Sequence, residues 1–116
     1  MIISIILQIL LGLGFIMFGY QKFTSEDMKK GFEYFGYSDG FRIFTGAFEI
    51  LAAVVIIIGI WIKPFATIGG LMIIVTMLGA IFTHIKMKDG IQSIVLPSVL
   101  LLVSLIVTTF NWISLF

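Results

Sequence analysis

The one acidic residue inside the long apolar runs of this chain is Glu49, which falls within residues 43–62 (IFTGAFEILAAVVIIIGIWI). A run of about 20 mostly apolar residues is long enough to cross a bilayer. An acid near the centre of such a helix costs roughly 2.5–3.5 kcal/mol on insertion scales, and less toward the interface. A carboxylate kept there points to a polar site, able to hydrogen-bond a head group or exchange a proton. The other residues suited to that chemistry are Lys22, Arg42, His84 and Gln92. Burial disfavours the charged form of an acid and a neighbouring cation favours it, so a lysine against Glu49 makes a pair that can hold or release a proton. Three of these residues, Glu49, Lys22 and His84, also have a structural reading. Glu49 and Lys22 would form a fixed ion pair, a lysine at a helix end extends along apolar surface to water, and an imidazole in a last helical turn is a cap.

The elements that must position these residues are membrane helices. Of 116 residues 60% are hydrophobic and 11% charged, with a mean hydropathy of +1.22. Soluble domains average about 45–50% apolar and about 25% charged. The expected class is therefore an all-α integral membrane protein, a single domain over residues 1–116 at this length. A formal net charge of +1 gives no basic field for nucleic acid. The lack of cysteine excludes thiolate metal sites, iron–sulfur clusters and thiol relays within the chain. With one histidine, neither a haem held by two histidines nor a zinc site is expected.

Four spans are read, at about 2–23, 43–62, 65–85 and 91–110. The first has no basic leader region or small-residue cleavage site, and is read as a retained helix. Its residues Gln8, Gly12, Phe15, Gly19 and Lys22 follow steps of four, three, four and three, which make one face. Arg42, Gly46, Glu49, Ala53, Ile56, Ile60 and Lys63 make a second such face. Ala66, Gly70, Ile73, Met77, Ala80 and His84 make a third. Small residues on these faces let helices approach closely in lipid. In the last span Ser93, Ser104 and Thr108 share a side, Pro97 is expected to bend the helix, and Asn111 with Trp112 to close it at the interface.

Between the first two spans, Ser25 followed by Glu26 and Asp27 is a helix-start pattern, and Gly36 a stop. Met28, Phe32 and Phe35 recur on one face, so residues 25–36 are expected to form a short interfacial amphipathic helix. It serves either as a connector or as a cover, with Phe32, Tyr34, Phe35, Tyr37 and Phe41 as interfacial aromatics. Alternating spans gather Lys22, Arg42, Glu49, His84 and Gln92 toward one membrane face and leave the other nearly plain. From a start at residue 43, Glu49 would lie about 10 Å below the helix end. Lys22, Lys29, Lys30, Arg42, Lys86 and Lys88 lie on the polar face against Lys63 on the other, which places the polar face in the cytoplasm and both termini outside.

The segments Phe18-Gly19-Tyr20-Gln21-Lys22, Glu49-Ile50-Leu51-Ala52-Ala53, Gly59 with Lys63-Pro64, and Gly79 and Ala80 ahead of His84 resemble, in order and spacing, the DoxX family of four-helix membrane proteins. The resemblance spans nearly the whole chain. It implies a four-helix bundle in a bacterial-type cell membrane and a role beside membrane oxidoreductases, such as thiosulfate:quinone oxidoreductase, or thiol and oxidative-stress systems. Other DoxX-like proteins act in membrane-protein assembly, and many relatives look oriented with the first loop external. Any thiol chemistry would belong to a partner or a ligand. Two functions of different class follow as expectations. The first is a redox-linked module that holds a quinone or another small amphipathic ligand through Glu49, Lys22, His84, Gln92 and Arg42, with Glu49 and His84 as proton-exchanging candidates. The second is a non-catalytic subunit, homo-oligomeric or bound to a membrane-protein partner. A small carrier acting as an oligomer is a weaker third, since no internal repeat is visible. No nucleophile is predictably placed against His84, so no self-contained enzyme is read.

Overall fold

Two serines set the starts of the two helices that come directly after the first span. In the computed structural model, which describes residues 2–87 and 90–115, the Oγ of Ser25 accepts from the amide of Met28 at 3.3 Å. The Oγ of Ser38 accepts from the amide of Phe41 at 3.1 Å. Each hydroxyl satisfies an amide that a helix start leaves unpaired, and acids follow in both first turns. The chain thus forms α1 (Ile2–Thr24), α2 (Glu26–Phe35), α3 (Asp39–Ile58), α4 (Lys63–Lys86) and α5 (Gln92–Ser114). All but α2 are long and apolar enough to cross a bilayer. The expected charged turn at 86–90 includes Lys88 and Asp89, which lie outside the described residues.

The helix α2 ends as a left-handed cap requires. Gly36 has φ 84°, and the amide of Tyr37 donates to the carbonyl of Phe32 at 2.9 Å. Three other boundaries differ from the sequence reading. The second span starts at Asp39 rather than 43, because Ser38 caps it a turn earlier than its apolar content suggests. It also stops at Ile58, because the turn begins at Gly59, where a Cβ would lie 2.2 Å from the amide nitrogen of Ala66. The last span runs to Ser114 instead of closing at Asn111, whose Nδ2 donates to the carbonyl of Val107 at 2.8 Å inside the helix.

α1 packs chiefly on α3, α3 on α4 and α4 on α5, with a thinner seam between α1 and α5. The faces read from residue spacing point inward: Gln8, Gly12, Phe15, Gly19 and Lys22 on α1 are buried, as are Arg42, Gly46, Glu49, Ala53 and Ile56 on α3. The core between them holds Leu11, Phe15, Ile56, Ile73, Met77 and Val107. The face that the sequence left nearly plain carries a buried polar network. Asn111 Nδ2 donates to Ser4 Oγ at 3.0 Å, Ser4 Oγ to Gln8 Oε1 at 3.0 Å, and Gln8 Nε2 to the carbonyl of Ile56 at 3.0 Å. These bonds tie α1, α3 and α5 together where apolar packing has no direction of its own.

Candidate functional site

Glu49 lies ten residues into α3, about 15 Å from its start at 1.5 Å per residue. The earlier start of the helix thus places the carboxylate at mid-helix, deeper than a start at residue 43 implies. Lys22 reaches it from the last turn of α1, with Nζ 2.8 Å from Glu49 Oε1 and side-chain exposures of 11% and 3%. Two glycines permit that reach. A Cβ on Gly19 would lie 2.6 Å from the carbonyl oxygen of Gly46, so α1 and α3 cross with their backbones almost in contact one turn from the pair.

Arg42 holds the assembly from behind. Its Nη1 donates to the carbonyl of Lys22, one of the carbonyls that the end of α1 leaves without a helical partner. Its Nη2 lies 3.6 Å from Asp39, one turn back on α3. Arg42 therefore fixes the backbone from which Lys22 extends.

In front of the pair is a cavity of about 580 Å³ walled by α1, α2, α3 and α4. Glu49 and Lys22 line it, with Thr76, Thr83 and His84 from α4. Much of the wall is aromatic: Phe18, Phe41, Phe44 and Phe48 belong to the spans, and Phe32, Phe35 and Tyr37 come from α2 and the turn after it. Rings of the cover interlock, with Tyr37 and Phe41 4.9 Å apart and Phe35 edge-on to His84 at 5.5 Å. One polar bond fastens cover to wall. Thr83 Oγ1 donates to the carbonyl of Gly79 at 2.9 Å, so the Tyr37 hydroxyl, 2.8 Å away, donates to Thr83.

The structure thus brings Lys22, Glu49 and His84 to one cavity. Arg42 stands behind the wall rather than in it, and Gln92 is exposed at the first turn of α5, away from the lining. Tyr34, counted among the covering aromatics, points outward at 62% exposure. Residue spacing overlooked Phe44 and Phe48, whose i and i+4 placement beside Glu49 was a usable signal, and Thr76 and Thr83, seven residues apart on α4.

A model of the DoxX-like family matches residues 6–107, which is most of the chain and includes every site residue above. The chain belongs to the DoxX-like family. It is a multi-pass integral membrane protein of that family, and no curated protein and no solved structure matches it. In this DoxX-like bundle the family match covers all of α2, α3 and α4, the helices that supply most of the cavity wall. The arrangement can present a neutral pair of opposite charges to a flat apolar molecule, with the Tyr37 hydroxyl oxygen as an acceptor in the wall. Among the described residues the carboxylate oxygen Oε2 of Glu49 is buried without a hydrogen-bond partner.

Proposed function

We propose that this DoxX-like protein is a redox-linked membrane module that holds a quinone or another small amphipathic ligand beside Glu49. The observation that carries this reading is the aromatic-walled cavity ending on a buried ion pair. Ligand pockets are about 300–1,000 Å³, largely apolar, with a few convergent polar groups. A cavity of about 580 Å³ with Glu49, Lys22 and His84 at its polar part fits that description. In this reading Glu49 and Lys22 bind the head group, His84 contacts it from α4, and Arg42 keeps Lys22 in position.

The test is native mass spectrometry with lipid extraction on the wild type and on Glu49→Gln, Lys22→Met and His84→Ala. The expected result is a small amphiphile retained by the wild type and lost from Glu49→Gln. If all four proteins fold and carry only bulk lipid, the ligand reading fails. The pair is then a packing device, and a partner-binding or assembly subunit becomes the working function.

A further inference from the structure

The helices α3 and α4 touch where the chain turns between them and part toward the ion pair. A Cβ on Gly59 would meet the backbone of Ala66, and one on Gly69 would lie 2.7 Å from the amide nitrogen of Ile56. That register, continued along an antiparallel pair, sets Thr76 opposite Glu49 and Gly79 opposite Gly46. A Cβ on Gly79 would nevertheless meet nothing within 4 Å. The two helices therefore open as a wedge, and the cavity lies at the open end.

The lining residues trace the cavity through this wedge. Lys22 and Glu49 are buried, whereas Phe44, Val75, Gly79 and Phe82 are exposed, and all six border one space. Three other borders are packed. Gly19 and Gly46 bring α1 onto α3, Tyr37 on Thr83 and Phe35 on His84 hold the cover, and Phe15, Ile73 and Met77 fill the core. Gly79 lies seven residues before the end of α4, about 10 Å in from it at 1.5 Å per residue. The gap is thus inside the apolar span, and its walls, Phe44 and Phe48 against Val75 and Phe82, suit a hydrocarbon chain.

We propose that the site takes an amphiphile with a long hydrocarbon chain, which runs out of the cavity between α3 and α4 past Gly79. This rests on the cavity being a ligand site, and adds the class of tail and the residue that admits it. A volume of about 580 Å³ is that of a pocket for a drug-sized molecule. A head group fits inside it, and a long chain attached to that head group must leave. Glycine weakens a helix relative to alanine. At Gly19 and Gly69 a neighbouring backbone requires it, but at Gly79 none does. What the bare Cα of Gly79 supplies is width in the gap.

The experiment compares two probes that share a ring, 2-methyl-1,4-naphthoquinone and the same ring bearing a geranylgeranyl chain. Each is supplied at equal probe-to-lipid ratio in nanodiscs, and bound probe is counted by native mass spectrometry of the released protein. The wild type is expected to bind both. Gly79→Phe should weaken the chain-bearing probe about tenfold or more relative to the bare ring, the scale of loss when a fitted space must take extra bulk. Val75→Trp, on the outward rim where no packing is displaced, should act in the same direction and carries the comparison if Gly79→Phe does not fold. Equal losses of the two probes, or no loss in either folded variant, overturn the exit past Gly79. A wild type that binds the bare ring and not the chain-bearing one overturns the chain and leaves the ligand site standing. No binding of either probe by the wild type overturns both readings.

Discussion

Lys22 and Glu49 are each other's reason for being tolerated inside the bundle. Removing one partner of a buried ion pair leaves an uncompensated charge and costs about 3–5 kcal/mol, whereas removing both is often close to neutral. Lys22→Met and Glu49→Gln should each lower the thermal midpoint in detergent, followed by circular dichroism. The double variant should be more stable than the summed single effects imply by about 2 kcal/mol or more. Additive effects would show that the 2.8 Å contact couples nothing. The types and positions of both residues were legible in the sequence, because the i, i+3 and i+4 steps put each on an inward face. The role of Arg42 was not legible. It depends on which carbonyls the end of α1 exposes, and that depends on where α1 stops.

Among the helices, close approach and capping decide what spacing leaves open. A Cβ on Gly14 would meet nothing within 4 Å, whereas on Gly19 it would meet the carbonyl of Gly46 at 2.6 Å. Gly14→Ala should therefore be neutral or stabilise by up to about 1 kcal/mol, the helix-propensity difference. Gly19→Ala should destabilise, since a backbone atom cannot swing aside; chemical denaturation of the two variants in one detergent separates these outcomes. The covering helix α2 buries no residue fully and is fastened by the bond of Tyr37 to Thr83. Tyr37→Phe removes that bond at a cost of about 0.5–1.5 kcal/mol. Amide exchange across residues 31–37 should then quicken while that of α3 and α4 stays unchanged; uniform exchange would mean the ring packing does the fastening. Four spans, the inward faces, Ser25 and Gly36 could all be read from residue types, since they rest on local periodicity and capping. The start at Ser38 was missed because apolar length was weighed above a serine cap followed by Asp39. The network of Ser4, Gln8 and Asn111 was missed because it joins residues 107 apart in the chain. The cavity itself lies in the space left between helices, and no single helix encodes that space.

At the scale of the whole molecule, the bundle has one end with the ion pair and cover, and another held by amide and hydroxyl groups. The positive charges counted for orientation do not all act alike. Lys22 and Arg42 are buried in the bundle, so the charges free to sense the membrane sides are Lys29, Lys30 and Lys86 against Lys63, with Lys88 outside the described residues. The cover should still face the cytoplasm. With no cysteine in the chain, Lys30→Cys in intact cells should resist a membrane-impermeant maleimide while Trp61→Cys reacts; the opposite pattern would invert the orientation. The rim of the cavity has its own consequence. Phe44, Val75 and Phe82 line it and are also 61%, 63% and 65% exposed on the outward faces of α3 and α4. The mouth therefore opens sideways, onto acyl chains rather than onto water. A solute that arrives this way leaves one oily medium for another and gains nothing from being hydrophobic. Each added methylene, worth about 0.8 kcal/mol, enriches it roughly fourfold in the leaflet without tightening its grip on the protein. Occupancy then follows mole fraction in the lipid, and tail length decides how much solute is presented while the head decides which solute stays.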